Sequence, residues 1–213
     1  MVDSPDFEVR EAREEEYAGA AVALANAFAY DPVMSQAMGG AGQEEKIRRL
    51  FDFQIRKTYA PRGVVDVVVD AQGQVLGAAL WISPQGQKGS LVQDLMSLPS
   101  YFRVLGKSLL PGAFTDLRLI AARPKFDHWY LYCIGVHEQA RGRGVGAALL
   151  DFRRQQLGEY PAYLEASTFR SASLYARHGF VELFRFKGGK PAVGMLHPAP
   201  VTQVSLQDHH RSK

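Results

Sequence analysis

The chain has 213 residues, 46% of them hydrophobic, 11% aromatic and 22% charged. That is enough apolar matter to bury the core of one domain, and it excludes a disordered or fibrous chain. The formal net charge of +3 is too small, and its Lys and Arg too scattered, for a nucleic-acid partner. Cys133 is the one cysteine, so no intrachain disulfide forms, which fits a reducing compartment. No apolar run approaches the roughly 20 residues that cross a bilayer. The opening MVDSPDFEVREAREEEY is acidic and polar, unlike a targeting leader. A soluble cytoplasmic protein with no membrane partner is the expectation.

Residues Phe7–Arg10 read as a first strand. Helical spacing of Tyr17, Ala20, Ala21, Leu24 and Phe28 predicts a helix from about Arg13 to Phe28, ended by Asp31-Pro32. A second helix fits Glu44–Tyr59, with Ile47, Leu50, Phe51 and Ile55 on one side, and Pro61-Arg62-Gly63 stops it. Val64–Asp70 and Gln74–Ile82 are β-branched runs joined by a turn, a hairpin pattern. The stretch from Ser90 to Arg123 is broken by Pro99 and Pro111 and reads as short amphipathic helices that roof a pocket. His128–Val136 is apolar and aromatic on both faces, as a central buried strand should be. A glycine-rich turn and a helix to about Leu157 follow, then a strand at Tyr160–Ala166 and a short helix at Ser171–His178, closed by Gly179. Phe180–Phe186 and Ala192–His197 form a last strand pair around Lys187–Pro191.

This order predicts an α/β fold: a mixed sheet covered on both faces, with a parallel crossover between the His128 and Tyr160 strands. One domain over 1–197 is expected, with 90–123 a helical insertion over the acceptor pocket and 198–213 a polar tail.

The stretch Gln139-Ala-Arg-Gly-Arg-Gly-Val-Gly-Ala-Ala-Leu-Leu150 places three glycines and two arginines at the start of a helix. The first helix amides lack partners there and the dipole adds positive charge, so the site suits an anion such as a pyrophosphate. The alternative is a turn whose glycines merely let helix and strand pack closely. A Walker loop is ruled out, because Ala147-Ala148 stand where Lys-Ser/Thr is required. A dinucleotide fold would need more parallel chain than remains.

Arg141-Gly-Arg-Gly144-Val-Gly146 resembles the acetyl-CoA signature of the GNAT superfamily of N-acetyltransferases, Gln/Arg-x-x-Gly-x-Gly/Ala. Ile134-Gly-Val136 resembles that family's splayed central strand, and Leu174-Tyr175-Ala-Arg-His-Gly179-Phe180 its Leu-Tyr-x-x-x-Gly-Phe signature. His128-Trp-Tyr-Leu131 and Leu164-Glu-Ala-Ser167 are similar to puromycin N-acetyltransferase and its relatives.

The resemblance implies a GNAT-like, centrally splayed sheet and acetyl-CoA as co-substrate. It implies cofactor contacts from Ile134, Gly135, Val136, Arg141, Gly142, Arg143, Gly144, Val145, Gly146 and Ala147. In those relatives an Asn starts the short helix; here that position is Ser171, which serves as an N-cap and as the candidate cofactor contact.

Acetyl transfer needs a neutral amine, a donor for the developing oxyanion and a proton for the departing thiolate. A primary alkylamine is mostly protonated at neutral pH, so a base or a water chain leading to one is needed. Glu165 is the candidate for that base, or for holding the substrate cation; a salt-bridged carboxylate is the other reading. Tyr175 is the candidate acid. The backbone N–H of Val136 or a near neighbour is the implied oxyanion donor. Tyr130, Tyr132 and His128 are candidate substrate contacts, or core. Cys133 reads as a buried small hydrophobe, and no metal is called for. The expected activity is direct transfer to a primary amine, most simply of a small molecule, by a monomer or homodimer. The rivals are a catalytically silent acyl-CoA-binding module and a nucleotide-dependent oxidoreductase.

Overall fold

The computed structural model describes residues 6–31, 34–35, 38–88, 121–185 and 192–200. Most of the expected insertion and of the polar tail lies outside them. Among the described residues seven strands form one sheet: β1 (Phe7–Glu11), β2 (Gly63–Asp70), β3 (Val75–Ile82), β4 (Trp129–Val136), β5 (Ala162–Ala166), β6 (Val181–Arg185) and β7 (Val193–His197), in the order β1-β2-β3-β4-β5-β7-β6. Only β4 and β5 run parallel; the other pairs are antiparallel. The expected crossover is therefore present, carried by α3 (Val145–Arg154).

Strand alternation sorts the core into two layers. Val67, Leu80, Tyr130 and Tyr163 face α1 (Tyr17–Phe28) and α2 (Glu44–Gln54). Val68, Trp81, Leu131 and Leu164 face α3 and α4 (Phe169–Arg177). The alanines Ala20, Ala21, Ala23 and Ala25 are buried, so α1 sits close to the sheet. Gly135 makes that approach possible, because a Cβ on it would lie 2.8 Å from Ala27 Cβ and 3.0 Å from Leu24 Cδ2.

Two sequence boundaries are corrected. The second helix ends its α-helical course at Gln54 and widens over Ile55–Tyr59 into a π turn, in which the Ala60 N–H reaches Ile55 O. Pro61 explains the change: it has no N–H, and its ring crowds the carbonyl four residues back. The short helix starts at Phe169 with Thr168 as its cap, not at Ser171. Thr168 Oγ1 accepts from the Ser171 N–H at 3.0 Å, and Ser171 Oγ accepts from the Thr168 N–H at 3.2 Å, the reciprocal arrangement of a capping box.

Among the described residues no helix is long and apolar enough to cross a membrane.

Candidate active site

The sheet opens at its centre. β4 and β5 are paired at Trp129–Ala162, Tyr130–Tyr163 and Leu131–Leu164 and then part. Beyond that point β4 continues to Val136 against β3, and β5 continues to Ala166 against β7. From Tyr132 to Val136, β4 has, among the described residues, a strand neighbour on its β3 side alone. A bulge begins there, because Leu80 pairs with Cys133 but Trp81 with Leu131. The extra residue puts both Tyr132 and Cys133 on the α1/α2 face, while Ile134 and Val136 return to the α3/α4 face.

The glycine turn lies where β4 ends. Gly142 and Gly144 have φ of 80° and 81°, a left-handed backbone that side chains rarely adopt, and Gly144 is the N-cap of α3. The Ala148 N–H is bonded to Gly144 O at 2.9 Å, so the amides of Val145, Gly146 and Ala147 precede the first intrahelical bond.

Close packing does not explain these glycines. No heavy atom lies within 4 Å of a Cβ built on Gly142 or Gly144, and one on Gly146 would make ordinary contacts of 3.6 Å to Val136 and 4.0 Å to Leu174. Gly146 thus has neither a positive φ nor a crowded neighbour to require it. Arg141 is exposed at the turn, and Arg143 lines a shallow depression shared with Asp6, Glu8 and Asp70. The Glu138 N–H donates to Asn26 Oδ1 at 2.8 Å, tying the turn to α1.

Tyr175 projects from α4 and is 8% exposed. Burial, and secondarily the neighbouring Cys133 thiol, push its phenol above the usual tyrosine range. The same burial raises the Cys133 thiol, holding it neutral. Tyr175 belongs to the α3/α4 layer, where its ring lies 5.9 Å from that of Phe180, and Cys133 belongs to the other.

On the α1/α2 face Glu165 is not a free carboxylate. Arg123 Nε donates to Glu165 Oε1 at 3.0 Å, and the Tyr130 hydroxyl donates to Oε2 at 2.7 Å. Arg123 Nη2 donates in turn to the Tyr130 hydroxyl at 2.6 Å, closing a ring of three groups. The guanidinium also stacks 3.9 Å from the Tyr130 ring centroid. Burial and then the Glu165 charge hold Tyr130 well above its usual pKa, so it stays a donor.

Tyr132 stacks on Tyr59 at 4.8 Å and accepts from Gln54 Nε2 at 3.3 Å. His128 is 2% exposed. Its Nδ1 donates to the Phe126 carbonyl at 2.7 Å and its ring packs edge-on to Tyr163. Burial, partly offset by that bond, depresses its pKa. Tyr130, Tyr132 and Glu165 are therefore gathered on one face beside the opening, with His128 packed deeper. The arginine turn and Tyr175 approach from the other side, and Ser171 is held in its cap.

Arg123, Gln54 and Tyr59 escaped the sequence reading. Gln54 had a detectable signal, a polar residue on the buried stripe of Ile47, Leu50 and Phe51. Arg123 had none, since its carboxylate partner lies 42 residues away.

A family model described as an acetyltransferase (GNAT) domain matches residues 114–182. A solved structure from Corynebacterium glutamicum, described as histone acetyltransferase HPA2 and related acetyltransferase, is 32% identical. It aligns over 93% of this chain and 99% of its own, with a TM-score of 0.75. The same fold is seen in an N-acetyltransferase from Staphylococcus aureus, at 18% identity, 89% and 99% coverage and a TM-score of 0.62. It is seen again in the ribosomal-protein-S18-alanine N-acetyltransferase from Escherichia coli, at 15% identity, 94% and 98% coverage and a TM-score of 0.55. With the opened sheet, the glycine-capped helix and a relative of this identity along nearly its whole length, the chain belongs to the GNAT superfamily and is an acetyltransferase.

Proposed function

We propose that the protein moves the acetyl group of acetyl-CoA to a primary amine of a small molecule, directly and within a ternary complex, in the cytoplasm. The observation that carries this reading is the parting of β4 from β5 beside a glycine-capped helix start. It leaves unpaired strand edge, unpartnered helix amides and a buried phenol around one opening. The residues fit acetyl-CoA on a specific ground: Gly146 is required by neither backbone nor packing, so the room its missing side chain leaves is available to a ligand.

When bound, acetyl-CoA supplies an activated thioester. The amides of Val145, Gly146 and Ala147, with Arg141 and Arg143, are suited to hold its pyrophosphate. The free edge of Ile134–Val136 is suited to its amide-bearing arm, and the Val136 N–H or a near neighbour to the negative charge that develops during transfer. Tyr175 is assigned the proton donated to the leaving thiolate. Its raised pKa keeps that proton in place until charge develops on the departing sulfur, the moment at which a general acid acts.

Direct transfer is favoured over an acyl-cysteine route because Cys133 is held neutral by burial. Both Glu165 oxygens accept hydrogen bonds. Glu165 thus orients Arg123 and Tyr130, and the amine is assigned to lose its proton through water rather than by direct contact with this carboxylate.

The deciding measurement is release of free CoA from acetyl-CoA with and without added amines. Amine-dependent release supports the reading. Tight acetyl-CoA binding with no amine-dependent release across a broad panel points to a silent binding module. Tight NADPH binding without CoA binding removes the assignment.

A further inference from the structure

Among the described residues beside the opening, Glu165 and Arg123 form a charged pair whose two members are not equally available. Glu165 is 9% exposed and Arg123 28%. Each carboxylate oxygen already accepts a hydrogen bond, one from Arg123 and one from Tyr130. A guanidinium has five N–H donors; Nε and one N–H of Nη2 are used. Among the described residues no acceptor meets the remaining three.

The pair is neutral as a whole, but its guanidinium is the more exposed member and keeps the larger share of unused hydrogen-bonding groups. Glu165 is the less exposed member and each of its oxygens already has a donor, so a cationic amine meets a shielded carboxylate, whereas an anionic oxygen meets a fork of donors held flat against an aromatic ring. That fork sits beside the last paired residues of the opening, since Tyr130 and Tyr163 precede the parting of the strands by one position. The glycine turn lies beyond the far end of β4, after Val136. Arg123 is therefore separated along the strand from the pyrophosphate seat and belongs to the acceptor side.

Resting on the acetyl-transfer reading above, we propose that Arg123 selects the acceptor: the substrate is a primary amine that also bears a carboxylate, and the guanidinium binds that carboxylate. Glu165 and Tyr130 act as positioning residues. They fix the fork through Nε and Nη2 and leave Nη1 and the outer Nη2 hydrogen for a bidentate contact. The neighbouring Tyr59–Tyr132 stack offers an apolar wall to the body of such a substrate. The amine keeps its place at the opening, and no group is transferred at Arg123.

The test uses matched probes on the full chain: phenylalanine against phenethylamine, and para-aminomethylbenzoate against para-methylbenzylamine. In the wild-type protein the carboxylate-bearing member of each pair is expected to have the higher kcat/KM, through a lower KM. Arg123→Met is expected to lower kcat/KM for that member by about 10- to 100-fold, the range for hydrogen bonds to charged groups. The uncharged-tail member should change by less than about threefold. Arg123→Lys is expected to recover part of the preference, because it keeps the charge and loses the fork.

A wild-type preference for the uncharged-tail amines overturns the proposal. So does a preference that survives unchanged in Arg123→Met while acetyl-CoA still binds. If Arg123→Met no longer binds acetyl-CoA, the wild-type and Arg123→Lys ratios decide in the same way. Calorimetry of the same pairs on CoA-loaded protein separates the two readings: carboxylate preference without turnover removes acetyl transfer and retains the selector. Turnover without preference does the reverse.

Discussion

Arg153 on α3 grips Asp66, on the face of β2 that α3 covers, with two guanidinium nitrogens, its Nε bond measuring 2.9 Å, and both side chains are almost wholly buried. The same guanidinium bonds Glu11 in β1 at 2.9 Å and lies 5.4 Å from the Trp129 ring centroid. The helix that begins at the glycine turn is thereby clamped to the strands at its far end. Arg153→Met leaves Asp66 as a buried acid without its partner, and the expected cost is about 3–5 kcal/mol, read from the urea midpoint. The double change Arg153→Met with Asp66→Leu is expected to restore much of that stability, since it removes both charges.

Tyr175→Phe is expected to lower kcat by at least about 100-fold, the scale of general acid catalysis, with acetyl-CoA affinity unchanged by calorimetry. Unchanged turnover removes Tyr175 from the role of acid.

Because burial raises the Tyr175 pKa, the phenol remains protonated across the working range, and it loses its proton only well above pH 10. The amine becomes more reactive as pH rises. The expected profile of kcat/KM thus climbs from pH 6 to about 9.5 with no alkaline downturn. A downturn with an apparent pKa near 8 contradicts a protonated Tyr175 as the acid.

Gly144 and Gly146 are separated by what alanine would meet. Gly144→Ala forces a side chain onto a φ of 81°, at an expected cost of about 1–3 kcal/mol to the free protein. Gly146→Ala meets only ordinary contacts and gains helix propensity, so the free protein is expected to be as stable as wild type or slightly more so. Acetyl-CoA binding is expected to weaken in Gly146→Ala all the same. Thermal melts and calorimetry on the two variants test both halves.

Replacing Arg141 and Arg143 together by Ala is expected to weaken CoA binding by roughly 10-fold or more through lost phosphate contacts. A dephosphorylated pantetheine analogue should bind as before. The larger share is expected from Arg141, because Arg143 lies beside Asp6, Glu8 and Asp70. An equal loss for the pantetheine analogue would mean that the arginines act on the fold instead.

Local signals in the sequence carried the fold a long way. The β-branched hairpin, the apolar central strand and the glycine-arginine turn are all where their periodicity and backbone demands put them. What escaped depends on contacts made at a distance. The family signature points to Ser171 as the cap of α4, whereas the local pattern Thr168-x-x-Ser171 puts the cap at Thr168 and Ser171 at the third helical position. The Tyr132 bulge has no composition signature, yet it decides which face Cys133 occupies. Glu165 looked like an available base because nothing local reveals that Arg123 and Tyr130 occupy it. Charges on strands can be named from sequence, but their partners are set by topology.

A sheet joined at its middle by three residue pairs has a thermodynamic consequence of its own. The strands on the β1–β4 side and those on the β5–β7 side share a narrow seam, so each is expected to open with partial independence, as separate cooperative units. A ligand lodged in that seam would touch both units and join their unfolding into one transition. Amide hydrogen exchange in β5 and β7 is then expected to slow when acetyl-CoA is added, well beyond the residues that meet it. The gap that admits a substrate would also be the place where the protein's stability is set.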